Sequence, residues 1–128
     1  DRNEWRRGNL AGKNETNCNS RLLCSETHTK CCLGFLALNC GYTEDQILDR
    51  CLPESVGFIS DKNKIENLWP KQICENAHVE NPNYYFLDMP IVSDIMGVND
   101  SKSVTEQNRE LILTQYFKTI NIDLQFIN

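Results

Sequence analysis

Residues 31–38 read Cys31-Cys32-Leu33-Gly34-Phe35-Leu36-Ala37-Leu38, eight nearly continuous apolar positions. A run of this kind belongs in an interior. Periodicity alone does not separate a buried helix of about two turns from a central strand. Its leucine and alanine content, with Thr29 just ahead of it as a capping hydroxyl, predicts a helix. The two cysteines share the environment of the run. Free cysteine packs as a small hydrophobe, so reduced thiols here need no special role.

The seven cysteines are the one gross anomaly of composition. Cys18, Cys24, Cys31, Cys32, Cys40 and Cys51 follow the order of an inhibitor cystine knot, which they resemble, and Cys74 is left over. Such a framework requires an oxidising compartment, and six cysteines allow fifteen pairings. Two Asn-x-Ser/Thr acceptors, at Asn14 and Asn99, fit the same secreted picture. A secreted disulfide-rich effector or toxin is therefore one reading. Against it, knot loops are polar and turn-rich, whereas residues 31–38 demand an interior. The odd cysteine total and the remote Cys74 also fit a reduced, cytoplasmic protein better than a closed disulfide set.

At 128 residues and 14.8 kDa the chain is expected to form a single globular domain over residues 1–128. No apolar run approaches the ~20 residues that cross a bilayer, so no membrane role is expected. No signal peptide is visible, and a start at Asp1 without Met fits a processed or trimmed chain. A net charge of −5 and a pI near 5.0 disfavour nucleic acid as a partner. The basic cluster of Arg2, Arg6 and Arg7 is too short to be a nucleic-acid footprint and reads as a solvated first helix. Fifteen asparagines beside ten isoleucines suggest an AT-rich genome.

Along the chain, residues 4–10 read as a short helix stopped near Gly8, and the Asn- and Thr-rich stretch to Ser20 as a loop. Arg21 to Cys24 suits a brief strand. Thr43-Glu44-Asp45-Gln46 is a capping box opening a helix to about Cys51, ahead of Pro53. A short helix is expected over residues 64–69, and another over residues 89–96 closed by Gly97. Ser103-Val104-Thr105-Glu106 reads as a second capping box, opening a helix whose Leu113, Tyr116, Phe117 and Ile120 share a face. Ile122, Leu124 and Phe126 then alternate with polar residues, the period of a half-buried strand. The sum is a small α+β domain, mostly helical, with a short sheet and a C-terminal strand.

Candidate chemistry is sparse. Cys31 and Cys32 lie near a helix N-terminus, where amides and dipole lower a thiol pKa, so a cysteine-dependent enzyme is a second alternative. Its base would have to be His28 or His78, the two histidines of the chain. Cys24-x3-His28 and Cys74-x3-His78 each place two zinc ligands on one face if helical, but neither has a Cys-x2-Cys knuckle. Asp45 and Asp49, four apart, suit an exposed acidic helix face better than acid–base work. Trp69, Tyr84 and Tyr85 offer surfaces on which a base or adenine ring could stack, although core packing is their commoner fate.

Residues 5–10, the pair Leu22-Leu23, Lys30-Cys31-Cys32-Leu33-Gly34-Phe35-Leu36, and Val98-Asn99-Asp100 ahead of a capped helix together resemble a set of small phage- and prophage-encoded proteins with a CCLG-type core motif. The likeness covers about half of the chain, and it departs at Val98, where that set tends to carry leucine, and in residues 122–126. The resemblance implies origin rather than activity, since these proteins are mostly of unknown function and offer no catalytic residues to carry over. It implies a bacterial cytoplasm, and since small phage accessory proteins often act by binding, the expected role is a non-enzymatic accessory protein that neutralises a host factor. The partner expected is a host defence protein or a small nucleotide signal, with no cofactor.

Overall fold

The fold is organised by a close approach between the segment at Leu22 and the predicted apolar helix. In the computed structural model, which describes residues 1–8, 21–53, 56, 60–61, 64–65, 68–70, 72–73, 76–81, 84–88 and 90–128, helix α1 spans Cys32–Asn39. A methyl group in place of the Gly34 hydrogen would overlap the backbone carbonyl of Leu22, so only glycine lets the two backbones meet here. Leu22 is thereby wedged between α1 and the chain at residue 50, whose carbonyl accepts its N–H at 2.7 Å. The Cys31 N–H bonds the Arg21 carbonyl on the other side. Leu22, Leu33, Leu36 and Ala37 are buried around this contact.

Thr43 opens α2 (Glu44–Ile47) with the predicted capping box, its hydroxyl accepting from the Gln46 N–H while the Gln46 side chain accepts from the Thr43 N–H. This helix is one turn long rather than two. Asp49 takes a left-handed conformation (φ 55°) and its N–H bonds the Leu23 carbonyl, beside a bridge between Leu23 and Leu48. Tertiary pairing has taken the Asp49 amide that another helical turn would have used.

Helices α3 (Pro90–Asp100) and α4 (Glu106–Thr119) form a second helical unit, and Val92, Ile95, Leu113, Phe117 and Ile120 bury their shared side. α3 runs through Gly97 instead of closing there. The cap of α4 is Thr105, which accepts from the Asn108 N–H at 3.4 Å, and not Ser103, whose hydroxyl meets that of Ser101.

Two isolated antiparallel hairpins complete the described backbone: β1 (Ser60–Asp61) with β2 (Lys64–Ile65), and β3 (Asn76–Asn81) with β4 (Tyr84–Asp88). Of the helix expected over residues 64–69, the described residues 64, 65, 68 and 69 are not helical, β2 standing at its start.

The expected α+β architecture is overturned. Residues 122–128 form no strand, and no core residue with a described side chain lies on one. The core is built from helices and irregular segments, with Trp5, Leu22, Leu23, Tyr42 and Trp69 among the residues contributed by the latter. The alternation at the C-terminus does control burial, with Ile122, Leu124 and Phe126 half-buried and Asp123, Gln125 and Ile127 exposed. They pack against the core without joining a ladder, the Ile127 carbonyl being taken by Arg2 N–H and that of Phe126 by the Arg2 guanidinium. Residues 4–7 of the expected first helix are likewise not helical. Trp5 bridges Lys30 in parallel, fixed by bonds from Lys30 N–H to Glu4 and from Arg6 N–H to Lys30. The predicted strand from Arg21 reduces to the Leu23 bridge, and Thr29, instead of capping α1, bonds the hydroxyl of Thr27.

Candidate functional site

The polar centre of the molecule is Asn99, in the last turn of α3 and 1% exposed. Its carbonyl oxygen accepts from Trp5 Nε1 at 2.8 Å and from the Cys32 N–H at 3.4 Å. Its amide nitrogen donates to the Arg6 carbonyl at 3.1 Å and to Asp100 Oδ1 at 2.8 Å. Both donors and both acceptor positions of the amide are therefore used. One side chain thus ties the first segment, the start of α1 and the end of α3 together. Burial also closes Asn99 to a glycan in the folded protein, correcting its reading as an acceptor; Asn14 lies outside the described residues.

Beside it stands Arg109, 2% exposed, on α4. Its guanidinium donates to the carbonyls of Val98 and Asn99 at 2.7 and 2.6 Å, and to those of Ser101 and Val104 at 2.8 and 2.9 Å. A cation therefore sits on the negative end of α3, where helix carbonyls lack partners of their own. Nε alone makes no hydrogen bond; it faces Glu106 Oε1 at 3.4 Å. The other Glu106 oxygen accepts from Arg7 Nε. Arg7 also lies over the Trp5 ring, 4.4 Å from its centroid, and donates to the carbonyls of Arg2 and Trp5. Gly8, with φ 46°, makes room for this arrangement: a Cβ there would stand 2.6 Å from an Arg109 terminal nitrogen.

An open pocket of about 540 Å³ lies at the first turn of α4, lined by Arg7, Lys102, Ser103, Val104, Thr105, Glu106 and Arg109. Three cations and one carboxylate thus meet at a helix N-terminus, in a chain that is acidic as a whole. A smaller apolar notch of about 120 Å³ lies between Trp5, Cys32, Phe35 and Phe126.

The thiols of Cys31 and Cys32 lack the lowered pKa that the cysteine-enzyme alternative requires. Cys31 and Cys32 are buried, and burial pushes the Cys31 thiol up to about 12 and Cys32 well above its ordinary value. Desolvation outweighs the helix amides that were expected to activate them. At Cys24, burial also raises the pKa, but the Thr27 hydroxyl, the N–H groups of Thr27 and Glu26 and the charge of Arg6 together outweigh it and leave the thiol lowered. Residues 24, 31, 32, 40 and 51 are free cysteines, and Cys18 and Cys74 lie outside the described residues.

Cys24 and His28 do not share a helix face. His28 is exposed, left-handed at φ 54°, and its N–H closes a turn on the Cys24 carbonyl. Cys74 is outside the described residues and His78 is placed only by register, opposite Phe86. Among the described residues no three metal-ligating side chains gather.

Trp69 is a core residue, against the Tyr42 ring at 5.3 Å with its Nε1 donating to the Pro53 carbonyl. Tyr84 and Tyr85 lie on β4. Asp49 is not helical at all. Bonds from Ser25 and Arg21 hold its carboxyl down at about 2, so it is a clamp on the turn and not half of an acid–base pair with Asp45.

The residues that sequence reasoning missed are Asn99 and Arg109. One signal was available, since Arg109 stands among the residues that bury the α4 face, at i−4 from Leu113 and i−8 from Phe117, where arginine is out of place unless it has partners. Among the described residues no helix is long and apolar enough to cross a membrane. No family model, no curated protein and no solved structure matches the chain.

Proposed function

We propose that the protein is a phage or prophage accessory protein that binds and neutralises a host factor in the bacterial cytoplasm, and that it carries out no chemistry of its own. The observation that carries this reading is how its chemistry-bearing groups are spent. Cys31 and Cys32, the thiols a cysteine enzyme would use, are buried and held protonated. Asn99 and the terminal nitrogens of Arg109 are consumed in joining elements. Among the described residues, the pocket at the first turn of α4 opens outward with Arg7 and Lys102 at its rim on an acidic molecule, a feature suited to recognition.

Affinity purification from bacteria carrying a panel of defence systems is expected to recover a stoichiometric partner, or the purified protein to gain thermal stability with a member of a nucleotide library. Failure of both arms overturns the reading. Thiol labelling at neutral pH checks the enzymatic alternative: iodoacetamide is expected to modify the exposed Cys51 and to leave Cys31 and Cys32 untouched in the folded state. Rapid labelling of either core thiol would restore the enzyme. Intact mass without reductant tests the secreted alternative, since each disulfide lowers it by about 2 Da.

A further inference from the structure

Resting on that binding reading, we infer that the pocket at the first turn of α4 takes the phosphates of a small phosphorylated molecule, with the Glu106 carboxylate occupying the anion's place until it is displaced. Three independent features meet there. The helix is long enough, Glu106–Thr119, for its N-terminal amides and dipole to favour an anion. Arg7 and Lys102 supply positive charge at the rim, with the hydroxyls of Ser103 and Thr105 beside them. The third feature is Arg109. Its terminal nitrogens are saturated by four carbonyls, yet its Nε, on the side facing the pocket's carboxylate, has no hydrogen bond in a side chain 98% removed from solvent. A buried N–H of a cation without an acceptor costs free energy that a better-placed oxyanion recovers.

Glu106 is an imperfect occupant. One oxygen stands 3.4 Å from Nε, and the side chain is 54% exposed, so leaving for water breaks only this pair and the bond from Arg7 Nε. A phosphate offers more acceptor oxygens and more charge, enough to meet Arg7, Arg109 and Lys102 together. The volume of about 540 Å³ exceeds what one phosphate needs and lies in the range of small-molecule sites, which favours a di- or triphosphate carrying a further group. The molecule's net charge of −5 argues against a polyanionic nucleic acid as the source.

The test is titration of the intact protein with inorganic phosphate, pyrophosphate and ADP, read by thermal stability and calorimetry at low salt. Pyrophosphate and ADP are expected to bind more tightly than phosphate. E106Q removes the competing charge while keeping the side chain's size, and is expected to tighten pyrophosphate binding about tenfold, the factor that corresponds to one modest electrostatic contact. K102Q alters an exposed side chain and is expected to weaken binding about tenfold with the ligand-free melting temperature unchanged. No binding to wild type or E106Q, or binding that neither substitution alters, overturns the site. A partner protein captured equally by wild type and K102Q, with no pyrophosphate binding, would sink this site while leaving the binding reading intact.

Discussion

The N-termini of α1 and α4 present the same chemistry, a row of amides without helical partners, and the molecule treats them in opposite ways. At α1 the preceding residue is Cys31, which provides no side-chain cap, and the end is buried; its acceptor comes from Asn99, 67 residues away. At α4 the cap is local, from Thr105 to Asn108, and the end faces an open pocket. A local cap leaves a helix end available to a ligand, whereas a distant one converts it into a joint. The thiol pKa values report the same contrast, because the amides at α1 fail to lower Cys31 and Cys32 against the burial that the joint imposes.

The largest effect is expected where the joint has no slack. Gly34→Ala places a methyl group on the Leu22 carbonyl, and urea unfolding is expected to show a loss of about 4 kcal/mol or failure to fold. A loss under about 1 kcal/mol would show that α1 and the Leu22 segment can separate freely, and the joint would not be rigid.

Arg109→Met keeps bulk but strands the four carbonyls it satisfies, and is expected to cost about 3 kcal/mol. The comparison between caps is sharpest in a pair of substitutions. Asn99→Ala, which removes the distant cap together with the Trp5 bond, is expected to cost about 2–3 kcal/mol, against about 1 kcal/mol for Thr105→Ala. Equal losses would break the distinction.

Acid should show a smaller and separable effect at the Leu23 turn. The Asp49 carboxyl is held down at about 2 in the folded chain, against about 3.9 when free. Its contribution is present above the unfolded value and is lost as pH falls from about 4 towards 2. Asp49→Asn is expected to flatten that part of the stability profile. Cys31 has the opposite sign: its folded value is raised to about 12, so its contribution is complete below about 8.5 and declines as pH climbs above that value.

What the sequence made legible was local. Residues 31–38, the Thr43 box and the buried face of Leu113, Phe117 and Ile120 were each read from a short window, because propensity, capping and periodicity act over a few residues. What escaped was set by partners far along the chain. Trp5 looked helical until Lys30 paired with it, residues 122–126 carried a strand's alternation without a strand's partner, and the role of Asn99 depends on Trp5, Arg6 and Cys32 at once. The chemistry of the candidate site was hidden for the same reason: the pocket joins Arg7 to residues 102–109, and no spacing rule connects them.

The guanidinium of Arg109 has a kinetic consequence. It spans the turn from Val98 to Val104, so α3 cannot part from α4 without exposing a charge and four carbonyls at once. Small openings along this hairpin are therefore suppressed in favour of one large one. Amides of α3 and α4 should exchange with deuterium at a common slow rate, as a single cooperative unit, while residues 122–128, which join no helix or ladder, exchange on their own.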